Sequence, residues 1–117
     1  METEARLVEP YPAKLLPGTL DLLVLRTLAR GPNHGYGIAE CVRELSRDVF
    51  RVGESSLYPA LQRLTLDGYI QREWGVSENN RRARYYTLTA AGRRQLAAER
   101  KEFERIVMAM RLVLDSP

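Results

Sequence analysis

Residues 53–88 read GESSLYPALQRLTLDGYIQREWGVSENNRRARYYTL. Leu57, Ala60, Leu61 and Leu64 recur at the three- and four-residue spacing of one helix face. The spacing predicts a helix that starts near Ser55 or Ser56 and stops at Gly68, a residue suited to the left-handed position just past a helix end. Pro59 then falls in the first turn or just past it, where a missing N–H costs little. YIQREW and RYYTL alternate and carry aromatic residues, as strands do. Between them GVSENNRRA is too long for a tight hairpin turn and predicts a polar loop with Asn79 and Asn80 near its tip.

Upstream, TLDLLVLRTLA is apolar almost all round, so it predicts a central buried helix. Thr19 is its expected N-cap, with Asp21 in the positively polarised first turn. Gly31-Pro32 stops it. A second helix is expected from about Tyr36 to Arg47, with Ile38, Cys41, Val42 and Leu45 on its buried face. DVFRVGE reads as a linker whose β-branched residues can add a short extended piece to the sheet. Before all of these, the prolines and glycine of residues 1–18 predict a short arm.

Downstream, Thr89 is positioned to cap a helix that runs nearly to the chain end. Its apolar positions are Leu96, Phe103, Ile106, Val107, Met110, Val113 and Leu114. About 25 residues of helix span roughly 38 Å, longer than the roughly 30 Å of a small domain. The helix should therefore overhang, and its unpaired stripe predicts a second copy of the chain as partner.

The expected fold is thus mainly α with a small β-hairpin: a winged helix-turn-helix over 19–88, an arm over 1–18 and a dimerisation helix over 89–117. Composition agrees with a globular protein, at 44% apolar and 28% charged residues. No run of 18 apolar residues is present and METEARLVEP is no signal peptide, so a soluble cytoplasmic chain without membrane contact is expected. The net charge of +3 is weakly basic, but of the 18 cationic residues only Lys14 and Lys101 are lysine. Arginine's planar fork suits phosphate and guanine.

The residues that carry chemistry sit on the third helix and the loop. Ser55, Ser56, Tyr58, Gln62 and Arg63 are the polar groups of the helix's outward face. In a major groove Gln62 suits adenine, Arg63 suits guanine or phosphate, and the hydroxyls suit either. Alone, such a face reads equally well as a solvated surface. The loop tips the balance. Arg81, Arg82 and Arg84 crowd beside Asn80, and so close a cluster repels itself unless phosphates neutralise it. Tyr36 can offer its hydroxyl to a phosphate. Trp74 either lines an effector site or packs on the wing or Tyr85. His34 either bonds a phosphate or is inert. Catalysis finds no support: no nucleophile–base pair, no Gly-rich phosphate loop, and one Cys and one His leave no metal site and call for no cofactor. A module that docks proteins through the same winged surface stays open as the alternative.

LLPGTLDLLVLRTLARGPNHGYGI, SSLYPALQRLTLDGYI and ENNRRARYYTLTAAGRRQL resemble the PadR family of bacterial transcriptional regulators, in order and spacing, from about Leu15 to Leu96. The single long C-terminal helix is similar to the small subgroup of that family. The resemblance implies a homodimer joined through those helices, double-stranded DNA as partner, and usually repression of a nearby promoter. It implies that Tyr36, Tyr58 with its serine neighbours, and the wing lie at or near DNA. Some members bind a small-molecule effector near the dimer interface; no residues here carry such a site over. Ser55 departs from the glycine of many relatives, and Leu66 from a usual polar residue.

Overall fold

The computed structural model describes residues 18–117. Of the expected N-terminal arm, residues 1–17 lie outside the described residues. The elements run α1 (Thr19–Leu28), β1 (Asn33–His34), α2 (Gly35–Leu45), α3 (Glu54–Leu66), β2 (Ile70–Val76), β3 (Arg82–Leu88) and α4 (Ala90–Leu114). The three strands form one antiparallel sheet in the order β1-β3-β2. The architecture is the winged helix-turn-helix that the sequence predicts, with the long C-terminal helix in place.

α1 is the hub. Its Leu20, Val24, Leu25 and Leu28 meet Ile38 of α2, Leu57, Ala60, Leu61 and Leu64 of α3, and Ile70, Tyr86 and Leu88 from the sheet. Fully burying a large apolar side chain contributes about 1.5–3 kcal/mol, so this one cluster holds three helices and the root of the hairpin together. Gly68 closes α3 with φ 80°, and the N–H groups of Gly68 and Tyr69 donate to the carbonyls of Thr65 and Leu64. That is a Schellman stop, and it turns the chain directly into β2.

Several local expectations are corrected. Gly18, at φ 85°, caps α1, and Thr19 is its first helical residue. α2 ends at Leu45. Leu45 is 59% exposed and Cys41 is only half-buried, because α2 meets the core chiefly through Ile38 and Val42. After α2, Arg47 and Asp48 both adopt left-handed conformations, φ 55° and 66°. Arg43 steadies this corner, donating to Asp48 at 2.8 Å and to Glu40 at 2.7 Å. The linker supplies no strand; the third strand is Asn33–His34, paired with Tyr86 and Tyr85. α3 starts at Glu54, so Pro59 is its sixth residue and removes the N–H that would reach the Ser55 carbonyl. The hairpin turn is tighter than its composition suggests. β2 continues to Val76 and β3 begins at Arg82, leaving only residues 77–81 between them.

Among the described residues, α4 is tied down at its start. Thr89 accepts from the Gly92 N–H through Oγ1 at 2.9 Å and donates from the same hydroxyl to the Gly68 carbonyl at 2.8 Å. The Thr89 N–H donates to the Tyr69 carbonyl at 3.1 Å. A Cβ on Gly92 would run into that Tyr69 carbonyl, so the close approach requires glycine. Leu96 packs on the chain's own core, but beyond it the helix leaves the body. Gly92→Ala should therefore lower stability by about 1–3 kcal/mol, the usual cost of forcing extra volume into a packed site. Urea unfolding reads this directly, and an unchanged midpoint would show that α4 is not docked there.

Candidate nucleic-acid interface

Two elements build the candidate surface. α3 turns Leu57, Ala60, Leu61 and Leu64 inward, which leaves Ser55, Ser56, Pro59, Gln62 and Leu66 facing out. Its N-cap, Gly53, has no side chain to satisfy the first-turn N–H groups, so the positive end of the helix dipole lies beside Ser55 and Ser56, with the Glu54 carboxylate in the same turn. Such an end accepts phosphate readily.

The two tyrosines flank this end. Tyr36, at the start of α2, is 70% exposed, and Tyr58 is 46% exposed. Tyr58 does not simply project outward. Its ring lies on the start of α2, where a Cβ on Gly35 would meet the hydroxyl at 2.8 Å. A cleft of about 250 Å³ lies between α2 and α3 beside both rings, rimmed by Glu40, Arg43, Arg51 and Glu54. The Arg43 hydrogen bond holds the Glu40 carboxyl below the usual carboxylate range.

Arg63 is placed differently from expectation. Its guanidinium reaches Asp21 of α1 at 2.8 Å, across 42 residues of sequence. The group expected to face a base is thus engaged within the chain. His34 also has a definite place. Its Nδ1 accepts from the Gly37 N–H at 3.0 Å and caps α2, while its ring meets Tyr85 edge-on at 5.3 Å. An acceptor at Nδ1 fixes the tautomer with its proton on Nε2. Neither role was visible as a spacing, although a His three residues before a glycine N–H is a usable capping signal.

The wing's hairpin turn spans residues 77–81 and is closed by hydrogen bonds among Ser77, Asn80 and Arg81. Asn80 donates to the Ser77 carbonyl at 2.9 Å, and Ser77 donates to the Arg81 carbonyl at 2.8 Å. Asn80 sits in the left-handed region, φ 60°, as such a turn requires. Cross-strand register places Trp74 opposite Arg84 and Val76 opposite Arg82. The guanidiniums of Arg82 and Arg84 lie over the Trp74 ring, 4.1 and 4.6 Å from its centroid. Trp74 therefore packs on the wing's own arginines, and Tyr85 instead donates to the Val76 carbonyl at 3.1 Å on the other face. Among the described residues, Arg72, Arg81, Arg82 and Arg84 have no carboxylate within ion-pair distance, whereas Arg43 has two and Arg63, Arg100 and Arg105 have one each. No helix among the described residues is long and apolar enough to cross a membrane.

A buried three-helix core, an exposed third helix and an arginine-bearing hairpin define a winged-helix transcriptional regulator. The family model of the PadR-like transcriptional regulators matches residues 24–98, and the chain belongs to that family. It is 38% identical over 85 residues to the transcriptional regulator Rv3488 of Mycobacterium tuberculosis, covering 73% of this chain and 76% of that protein. A PadR family regulator of Clostridium difficile R20291 superposes with TM-score 0.72 at 31% identity, covering 83% of this chain and 99% of that one. One from Eggerthella lenta superposes with TM-score 0.74 at 26% identity, covering 86% and 85%.

The Arg63–Asp21 pair is partly exposed, so each single alanine substitution should cost about 0.2–1 kcal/mol, and the double substitution about the same as either one. A double-mutant cycle in thermal or urea unfolding checks this; fully additive losses would mean the two side chains do not interact.

Proposed function

We propose that the protein is a homodimeric, sequence-specific DNA-binding repressor, with α3 in the major groove and the wing along the backbone or in the adjacent minor groove. The observation that carries this reading is the gathering of four arginines on one projecting hairpin. Arg72, Arg81, Arg82 and Arg84 all face solvent and, like Arg26, Arg30, Arg47, Arg93, Arg94 and Arg111, have no carboxylate at ion-pair distance among the described residues; what distinguishes the four is that they share one hairpin. Phosphates are the natural counter-charge. Ser55, Ser56 and Gln62 then face the groove, Tyr36 and Tyr58 flank it, and Asn80, Arg81, Arg82 and Arg84 follow the backbone.

Replacing Arg81 and Arg82 with alanine should weaken binding to every duplex and flatten the salt dependence by about one unit of slope for each phosphate no longer neutralised. Anisotropy titrations across a salt series read both quantities; an unaltered slope would remove the wing from the interface. Gln62→Ala should instead change which bases are preferred, by about 1–3 kcal/mol at one position. A selection from random duplexes that returned the wild-type preference would exclude direct readout by Gln62. The exposed Leu66, at 78%, favours a second reading as a protein-docking module; a chain with no salt-sensitive DNA affinity would promote it.

Dimerisation rests on α4. Phe103, Ile106, Met110, Val113 and Leu114 are 44–76% exposed and, with the half-buried Val107, form one stripe at heptad spacing. So apolar a stripe on an overhanging helix needs a cover, and a second α4 has the matching length and pattern. Phe103→Glu or Met110→Glu should convert the dimer to folded monomers in light scattering. A monomeric wild-type chain at micromolar concentration would refute the assembly.

A further inference from the structure

The wing contains one feature that DNA binding does not require: a large aromatic ring, 53% exposed, beneath two cations. Exposure of so large an apolar group has a cost, and here it purchases no core contact. What Trp74 touches is Arg82 and Arg84, both well within the roughly 6 Å at which a ring face attracts a guanidinium. The β-ladder dictates this meeting. Trp74 pairs with Arg84, and Arg82 lies two residues along β3, so all three side chains leave the same face of the hairpin.

We propose that Trp74 is the positioning residue of the wing, a platform that holds Arg82 and Arg84 side by side and pre-orders them for the phosphate backbone. This rests on the DNA-binding reading above and adds a residue to it. Two neighbouring guanidiniums without counter-ions repel each other, and each long side chain loses rotamer freedom when it engages a phosphate. A ring whose negative face meets both cations offsets the repulsion and removes much of that freedom in advance. Arg81 lacks such a platform. It sits at the turn, where its own N–H and carbonyl bond Ser77, and among the described residues no aromatic ring lies beneath its guanidinium.

Two conservative changes separate the platform from bulk. Trp74→Phe keeps a π face, and Trp74→Leu keeps an apolar strand residue without one. On a fluorescein-labelled random-sequence duplex, Trp74→Leu should bind about five- to tenfold more weakly with an unchanged salt slope, while Trp74→Phe restores most of the affinity. In the background of Arg82→Ala with Arg84→Ala, the Leu substitution should have no further effect. In the free protein, the Nε–H resonances of Arg82 and Arg84 should be shifted upfield by the ring and return to ordinary positions in Trp74→Leu. Wild-type affinity in Trp74→Leu, or tighter binding, would overturn the platform. So would an equal loss in the double-alanine background, since Trp74 would then touch DNA itself. If the upfield shifts are present yet the wild-type chain binds no duplex at any salt, the DNA reading fails and takes this inference with it.

Discussion

The structure turns on one backbone junction, where the end of α3 meets the start of α4. Gly68 and Tyr69 end the third helix, and their two carbonyls are both taken by Thr89, through its hydroxyl and its N–H. The same hydroxyl accepts from Gly92 and caps α4. Four elements converge there: α3 stops, β2 starts, β3 ends and α4 begins. The contact needs a left-handed residue at 68, a hydroxyl at 89 and no side chain at 92. Each of the three supplies a different physical property, and none substitutes for another. The apolar cluster around α1 gives the body its stability, but this junction sets the direction in which α3 and α4 leave it.

Above that junction the molecule divides into two surfaces with opposite chemistry. The hairpin and α3 carry unpaired cations and hydroxyls at a helix N-terminus. The far end of α4 carries an apolar stripe that no other described residue covers. Arg43 and Arg63 brace the helices through Glu40, Asp48 and Asp21, whereas Arg82 and Arg84 of the hairpin lie over Trp74 with no carboxylate at ion-pair distance among the described residues. Membership of the PadR-like family is compatible with the proposal of one DNA-facing surface and one assembly surface.

How much of this was legible in the sequence depended on how local the signal was. The buried stripe of α3, the stop at Gly68 and the cap at Thr89 lie within a few residues of the features they predict, and all three are found. The overhang of α4 followed from length alone. By contrast, β1 is two residues long and has no period to detect; it exists because β3 presents an open edge to Asn33 and His34. The Arg63–Asp21 pair joins residues that no helical or strand period relates. The wing strands run further than expected because Gly75 and the charged Arg82-Ala83 look like loop composition. In a two-stranded ribbon projecting into water, backbone pairing continues without any apolar alternation. Spacing alone points Leu45 and Cys41 inward, and only the tilt of α2 decides that they stay at the rim. In the candidate site, the outward residues of α3 were legible one by one, but Tyr58's contact with α2 and the stacking on Trp74 were not.

The Thr89 clasp has a consequence for the assembly proposed above. Hydrogen bonds from Thr89 to the Gly68 and Tyr69 carbonyls couple the start of α4 to the end of α3 directly, not through a loose linker. In a pair of chains joined far along α4, the crossing angle of the two long helices is then a vernier for the distance between the two copies of α3. A small scissoring at the apolar end is magnified along a lever of about 38 Å. It moves the reading heads together or apart, out of step with the one-turn repeat of a duplex. In such a dimer, anything that wedges or clamps that crossing would act on spacing without touching the proposed DNA-facing surface itself.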